Sequence, residues 1–136
     1  MQRLKTRSQF QAVLAGVIIA RTAHFALHRN ALNAPALQTH SGKPDKARAL
    51  FPVQDMWIGA MVPKRWAKQA VTRNTIKRQI YVVCADFSQH YPQAAFVVRL
   101  RRGFPRSEFI SPSSGQLKQA VRSEVQTLLQ AGDSAA

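Results

Sequence analysis

The residues of this chain best suited to chemistry are cations that cluster between Lys64 and Arg78. Six lysines and arginines fall in this stretch, and no aspartate or glutamate falls among them. Their ammonium and guanidinium groups are donors that bind phosphate oxygens. Salt bridges along a helix need carboxylates three or four residues away, and this stretch has none. We therefore expect a bound polyanion to supply the negative charge. The alternative is a solvated basic surface without a ligand.

The rest of the chain offers no recognisable set of catalytic residues. Its six acidic residues are scattered without a carboxylate pair, and its four histidines lack zinc-ligand spacing. A glycine-rich phosphate loop and a nucleophile elbow are also missing from the sequence. The single cysteine, Cys84, excludes an intrachain disulfide and is expected to be a buried thiol in a reducing compartment. We predict no catalytic residue and no metal site on this chain.

The charge of the whole chain indicates the same class of partner. Its 136 residues contain 20 lysines and arginines against 6 acidic residues, giving a formal net charge of +14 and a pI near 11.5. Repulsion at this level disfavours a compact chain unless an anion is bound. Nucleic acid is therefore the first expected partner and an anionic membrane the second. The length fits a single domain over residues 1–136.

One helix, from Ala70 to Phe87, is predicted to position most of these cations. At about 100° per residue, its side chains separate onto two faces. The basic face carries Arg73, Asn74, Lys77, Arg78 and Tyr81, and the core face carries Ile76, Ile80, Val83 and Phe87. Arg73 and Lys77 lie one turn apart, as do Asn74 and Arg78. Two pairs of donors thus converge on a patch that fits successive phosphates.

Residues 64–78, which read KRWAKQAVTRNTIKR, resemble a known family. They are similar to the segment of the bacterial ribonuclease P protein subunit that contains the signature Arg-Asn-Arg-x-Lys-Arg. Thr75 departs from this pattern, since it stands where the family usually has a second arginine. The resemblance extends over residues 3–129, with weaker matches at 3–16 and 96–103.

The resemblance implies the protein subunit of ribonuclease P, which supports removal of the 5′ leader from precursor tRNA. In that family the catalytic centre is on the RNA subunit, so Mg²⁺ is expected to be held mainly by RNA. The implied partners are ribonuclease P RNA and precursor tRNA in the cytoplasm, with no membrane and no obligate protein partner. The implied RNA-binding residues are Lys64, Arg65, Lys68, Arg73, Asn74, Lys77 and Arg78.

The same resemblance implies that the leader lies in a cleft between the first helix and the open sheet face. Phe10 is a candidate on the helix, although it suits a core position equally well. The alternating pattern from residue 22 to 32 places His24, Ala26 and His28 on one strand face, which we interpret as too polar for a core. Imidazole and aromatic rings on such a face suit stacking against unpaired bases.

The remaining segments are predicted in chain order. A first helix is expected from an N-cap at Ser8 to Gly16, and a closing helix from Ser111-Pro112, with the core stripe Leu117, Val121, Val125 and Leu128. Strands are expected over residues 22–32, 56–62 and 95–103. Residues 33–52 are predicted to form a mobile surface loop, and residues 130–136 a frayed tail. A signal peptide is the alternative for the apolar run 12–20, which Gly16 interrupts.

These elements predict a single small α+β domain in the order α-β-β-α-β-α on a mixed sheet. The strand, helix and strand from residue 56 to 103 predict a parallel pair joined by a crossover. The family resemblance implies that this crossover is left-handed, against the general preference.

A purely structural RNA-binding protein, such as a ribosomal protein, is the alternative function. It would share the charge, the size and the lack of an active site. The feature that favours the ribonuclease P interpretation is Arg73-Asn74 following Lys64-Arg65.

Overall fold

Five strands and three α-helices are found in the residues that the computed structural model describes, which are 1–32, 51, 53–104 and 115–135. The strands are β1 (Gln2–Arg3), β2 (Val17–Arg21), β3 (Phe25–Asn30), β4 (Trp57–Met61) and β5 (Ala95–Leu100). The helices are α1 (Arg7–Leu14), α2 (Ala70–Phe87) and α3 (Gly115–Ala135), and a 3-10 helix (Ser88–His90) follows α2. The predicted α+β class is confirmed.

The strands form one mixed sheet in the order β1-β4-β5-β3-β2. β1 is parallel to β4, and β4 is parallel to β5. β3 is antiparallel to both β5 and β2. The succession β4, α2 and β5 is therefore the predicted parallel pair joined by a helix, and the handedness of this crossover stays a prediction.

The main core lies between one face of the sheet and helices α2 and α3. Phe96, Val98 and Leu100 alternate along β5 toward this side, and all three are fully buried. The helices contribute the predicted stripes Ile76, Ile80 and Val83 from α2 and Leu117, Val121, Val125 and Leu128 from α3. Cys84 lies in the same core, where burial raises the pKa of its thiol to about 12. It is the structural thiol that the sequence predicted.

The opposite face of the sheet is partly covered by α1. Val13 of α1 packs there in a second apolar cluster with Trp57, Ala95 and Val97. Gly59 of β4 lies beneath the helix: a Cβ at this position would be 2.6 Å from Cε1 of Phe10 and 2.7 Å from Cδ1 of Leu4. The missing side chain therefore lets α1 and the segment before it approach the sheet closely.

The start of the chain differs from the prediction at its helix cap and in two strands. The N-cap of α1 is Thr6 and not Ser8: the Thr6 hydroxyl accepts a hydrogen bond from the Gln9 amide at 3.2 Å. Gln9 Oε1 in turn accepts from the Thr6 amide at 3.1 Å, which completes a capping box. Strands β1 and β2 were not predicted. β2 lies at the sheet edge with Val17 and Ile18 exposed, so it lacks the alternating burial that marks a strand.

The last helix also differs from the prediction, because it extends to Ala135 and so includes most of the expected frayed tail at 130–136. Gly132 explains the difference. A Cβ there would be 2.5 Å from Cδ2 of Leu27 and 2.6 Å from Oη of Tyr91, so the helix backbone packs directly on the core. The predicted loop 33–52 lies outside the described residues except at Phe51, which is buried beside Trp57, and Ser111-Pro112 also lies outside them.

Candidate nucleic-acid interface

The basic face of α2 lies where the helical period places it. Asn74 and Arg78 are exposed, and Arg73 and Lys77 are half-buried. On the opposite side Ile76, Ile80 and Val83 are buried as predicted, and the fourth predicted core residue, Phe87, is half-buried. The helix begins at Ala70 without a side-chain cap. Its first amide groups and the positive end of its dipole thus add to the charge of these cations. We call Arg73, Asn74, Lys77 and Arg78 the α2 basic face.

Arg73 also holds the chain segment that precedes the helix. Its Nη1 donates to the carbonyl oxygens of Ala67 at 2.9 Å and Lys68 at 2.8 Å. Both acceptors are uncharged, so the guanidinium group is oriented without losing its charge. Arg73 therefore links the α2 basic face to the cations that come before it.

An arginine outside the predicted set extends this surface. Arg3 of β1 places its Cζ 4.1 Å from the ring centroid of Tyr81 on α2. The Tyr81 hydroxyl accepts a hydrogen bond from the Ala60 amide at 3.1 Å, so the ring is fixed to β4. The sequence did not indicate Arg3, because a strand of two residues is too short to show an alternating pattern. Its partner strand β4 also lies more than 50 residues further along the chain.

Residues 64–68, which we call the basic turn, connect β4 to α2. The Pro63 carbonyl oxygen accepts hydrogen bonds from the amides of Trp66 at 3.1 Å and Ala67 at 3.2 Å. Gly103, beyond β5, lies against this turn: a Cβ there would be 2.7 Å from the Trp66 carbonyl oxygen. The basic turn is therefore fixed beside the end of β5, and Lys64, Arg65 and Lys68 are exposed on it.

A second group of cations meets the basic turn at this end of β5. Burial lowers the pKa of Arg99, and the neighbouring charges of Arg101, Arg65 and Arg21 lower it further, in that order. These arginines come from β2, the basic turn and the end of β5. The fold thus concentrates positive charge from separate segments, and the sequence predicted only the contribution of the basic turn.

Carboxylates do not neutralise this charge within the described part of the chain. The ion pairs there join the Met1 ammonium to Asp55 at 3.1 Å and His24 to Glu124 at 2.7 Å, and neither involves a lysine or arginine. Other arginines bind neutral oxygens instead. Arg101 Nη1 donates to the Thr22 carbonyl at 2.9 Å, and Arg122 donates from Nε and Nη2 to Oε1 of Gln79 at 3.1 and 2.8 Å.

His28 is buried on the sheet face that α1 partly covers, with 6% of its surface exposed. Its Nε2 accepts a hydrogen bond from Nε of Arg99 at 3.0 Å, so the ring proton belongs on Nδ1. Nδ1 is buried without a hydrogen-bond partner among the described residues. Burial, and then the charges of Arg99 and Arg21, lower the pKa of His28. His28 is thus a neutral acceptor that orients Arg99.

The prediction that this strand face is too polar for a core is wrong. Ala26 and His28 are both buried there, because α1 packs across β3. Phe10 is half-buried on α1 and packs against the second apolar cluster, so its contacts in the described residues are those of a core side chain. His28 and Phe10 therefore flank the same covered region, with less exposure than an open cleft would give them.

The structure also contradicts the shared face of His24 and His28. His24 precedes β3, and its Nδ1 lies 2.7 Å from Oε1 of Glu124 on α3. Its ring stacks on Phe104 with a centroid distance of 4.1 Å. Glu124 Oε2 accepts further hydrogen bonds from the His24 amide and the Thr22 hydroxyl, both at 2.6 Å. His24 therefore ties the turn between β2 and β3 to α3, on the other side of the sheet from His28.

A sequence signal for this contact existed in Glu124. It is the single acidic residue between 115 and 130, and the only other one on α3 is Asp133 near the end of the helix. One carboxylate in such a basic chain indicates a specific partner. The sequence does not tell which of the many cations or histidines that partner is.

Thr75, which replaces the second arginine of the family signature, is not part of the exposed surface. It is 7% exposed, and its hydroxyl donates to the Val71 carbonyl oxygen at 2.9 Å. The position therefore faces neighbouring protein atoms, and the α2 basic face is formed without it.

Within the described ranges, no group of three or more histidine, cysteine, aspartate or glutamate side chains is arranged to hold a metal ion. Among the same residues, no helix has the length and apolar character needed to cross a membrane.

Comparison with known proteins places the chain in a family. A family model described as Ribonuclease P matches residues 1–129. A ribonuclease P protein component from Bordetella parapertussis is 34% identical over 123 residues, covering 90% of this chain and 85% of the relative. One from Trichormus variabilis is 30% identical over 131 residues, covering 94% of this chain and 86% of the relative.

Solved structures share the fold at lower sequence identity. The RNase P protein of Staphylococcus aureus superimposes with a TM-score of 0.63 at 17% identity, covering 96% of this chain and 94% of that chain.

Proposed function

Because this chain belongs to the ribonuclease P protein family, whose members bind RNA and act in tRNA processing, we propose a division of labour between its two surfaces. Ribonuclease P RNA is its partner. The basic turn and the α2 basic face bind the phosphates of that RNA. The sheet face beside α1 binds the 5′ leader of precursor tRNA, and the complex works in the cytoplasm.

The observation that carries this proposal is how the arginines are held. Arg73, Arg99 and Arg101 all donate to neutral acceptors, namely backbone carbonyls and the imidazole of His28. A carboxylate partner would orient a guanidinium group equally well and cancel its charge. Neutral partners fix the direction of the N–H donors and leave the full positive charge for a phosphate, which favours bidentate contacts.

Catalysis belongs to the RNA subunit in this proposal. Mg²⁺ would be held mainly by RNA, where it would supply an activated water and offset charge on the leaving oxygen. The protein contributes affinity and position: its cations reduce the repulsion between the RNA subunit and precursor tRNA, which both carry phosphate charge. The requirement for Mg²⁺ as a counterion should therefore fall when the protein is present.

The leader is bound in this proposal along the region between α1 and the exposed end of the sheet. Arg99 and Arg65 lie close enough to influence each other there, and His28 orients Arg99 from below. A single strand that differs from one precursor to the next must be held by its phosphates and ring faces, since base-edge contacts would restrict its sequence. Phe10 and His28 flank this region, whereas His24 does not.

The test is cleavage of precursor tRNA by a bacterial ribonuclease P RNA at low Mg²⁺, with and without the purified protein. We expect the protein to restore cleavage at Mg²⁺ concentrations where the RNA alone is slow. Arg78→Ala should reduce this stimulation, and Lys118→Ala on α3 is the matched control because Lys118 is an exposed cation outside the proposed surface. Absence of stimulation with several bacterial RNAs would favour the structural RNA-binding alternative.

A further inference from the structure

Trp66 in the basic turn is an exposed aromatic residue without a structural explanation in the core. It is 37% exposed, whereas the other tryptophan, Trp57, is 6% exposed and donates from Nε1 to the Val53 carbonyl at 2.9 Å. Exposed apolar surface costs about 25 cal/mol per Å² relative to burial, so the exposed part of the Trp66 ring adds nothing to the stability of the fold. A bound ligand would give the exposed ring a function.

The backbone that carries Trp66 is held in place on three sides. Its amide donates to the Pro63 carbonyl, its own carbonyl oxygen packs against Gly103, and Arg73 binds the carbonyls of the next two residues. The ring therefore stands on a fixed support and not on a flexible loop. Because the segment is already ordered, ligand binding has a smaller entropic cost.

The surroundings of the ring restrict the kind of ligand. The Cζ of Arg65 lies 5.3 Å from the Trp66 ring centroid, and Lys64 and Lys68 are exposed in the same turn. An apolar protein segment would have to leave these cations beside a dry interface, which is costly. A nucleotide presents both a flat ring for the indole and a phosphate for the cations. The cation–π contact between Arg65 and Trp66 is at the surface, where such a pair contributes only about 0.5–1 kcal/mol. This small gain does not by itself explain an indole at this position.

We propose that Trp66 is a stacking platform for an unpaired RNA base, with Arg65 and its neighbours on the adjoining phosphate. This inference deepens the proposed function and rests on RNA binding by the basic turn. The base comes from one of two sources, a bulged or single-stranded nucleotide of ribonuclease P RNA or the leader of precursor tRNA. Stacking on aromatic side chains tolerates any base, so the platform suits both sources.

Tryptophan fluorescence of the assembled complex tests the proposal. The emission of Trp66→Phe protein reports Trp57 alone, and its subtraction from the wild-type emission isolates Trp66. We expect the Trp66 emission to be quenched in the RNA complex. Quenching by the RNA subunit alone identifies that RNA as the source. Quenching that requires precursor tRNA, and that mature tRNA does not produce, identifies the leader.

Affinity and salt dependence separate stacking from a role in shaping the turn. Trp66→Leu removes the aromatic ring and keeps apolar volume, so it should weaken binding about tenfold, or 1.4 kcal/mol. Trp66→Phe keeps a ring and should lose less than about threefold by the same reasoning. The salt slope should stay unchanged in Trp66→Leu and fall by about one unit in Lys64→Ala, which loses a phosphate contact.

Several results would overturn the proposal. These are Trp66 emission that stays constant in every complex, wild-type affinity of Trp66→Leu, or a salt slope that falls in Trp66→Leu as in Lys64→Ala. The last result would show that the ring holds the cations in place and does not stack. If the wild-type protein itself failed to bind the RNA subunit, the proposed function would fail first, and this inference with it.

Discussion

The two faces of the sheet are built from the same strands and differ sharply in chemistry. The face toward α2 and α3 is closed by apolar side chains such as Phe25, Leu27 and Phe96, all fully buried. The face toward α1 is apolar only beneath the helix and ends in His28 and Arg99. One face holds the fold together, and the other combines packing with a charged binding surface.

This difference arises from the two-residue period of strands. Along β5, Phe96 and Val98 point to the main core, while Val97 and Arg99 point to the α1 side. Neighbouring residues of one strand therefore serve different purposes. Substitutions on the two faces of one strand should separate stability from RNA binding, and the predictions below test that separation.

The largest effect is expected from Phe96→Ala on the closed face. Removing a fully buried phenyl ring should lower the free energy of unfolding by about 3–5 kcal/mol. Urea titration measures the loss, and Arg99→Ala, three residues along the same strand, is the contrasting variant with a much smaller cost. Similar losses for both variants would show that the two faces are not separate in function.

The next effect concerns the α2 basic face and RNA binding. The triple variant of Arg73, Lys77 and Arg78 to alanine should lower the salt slope of RNA binding by about three units, because each cation releases counterions from one phosphate. Replacing Arg73 should also lower the stability of the fold, since Arg73 binds the carbonyls of Ala67 and Lys68. A salt titration against Lys118→Ala checks the prediction, and an unchanged slope in the triple variant contradicts it.

His28→Ala sharpens the comparison on the α1 side. Loss of the imidazole frees Arg99 from its acceptor, so binding of precursor tRNA by the holoenzyme should weaken by about 1–2 kcal/mol, while mature tRNA is nearly unaffected. His28→Gln is the rescue variant, because its amide oxygen can accept from Arg99. Equal losses for precursor and mature tRNA would assign His28 to folding or to the RNA subunit.

A pH dependence of stability follows from the lowered pKa of His28. Unfolded histidine titrates near pH 6.5, and the folded chain holds His28 neutral below that value. As the pH falls through about 6.5, the unfolded state therefore binds a proton that the folded state does not, and stability decreases. Urea titrations across this range should show a steeper loss in the wild type than in His28→Gln. Parallel curves would mean that His28 binds its proton at the same pH in the folded and the unfolded chain.

The smallest effect is expected from Thr75→Arg on α2. Restoring the cation of the family signature should strengthen RNA binding by about 1 kcal/mol at low salt, the gain of one phosphate contact. Thr75 is buried, so the arginine stem must run along the helix surface to bring its head to solvent. Binding at low salt measures the gain. Unchanged or weaker binding would show that the surface around Thr75 has adapted to the smaller residue.

Local periodicity made the basic helix and the three internal strands predictable. The α2 basic face, the core residues of α2 and the helix ends all lie within eighteen consecutive residues, so a local sequence pattern is enough to predict them. The stripe of α3 was predictable for the same reason. The family signature then indicated RNA as the partner of this surface.

Contacts between distant residues were the part that the sequence did not reveal. His24 was assigned to the face of His28 by counting in twos, but β3 begins at Phe25, and the preceding turn directs His24 to Glu124, 100 positions away. Arg99 was missing from the predicted set, although His28 binds it and the charge of Arg65 lies close to it. Local sequence patterns do not reveal such contacts, because each contact depends on the order of the strands in the sheet and on where the strands end.

The position of β5 in the chain affects how the protein folds during its synthesis. β5 is the middle strand, hydrogen-bonded to β3 on one side and β4 on the other, yet it begins only at Ala95. During synthesis the strands of two partial sheets, β2 with β3 and β1 with β4, therefore leave the ribosome before β5, the strand that joins them. Their open edges are prone to pairing with other chains during that interval. Folding should thus occur late and in one step, and a chain truncated before Leu100 should not form a partly active fragment.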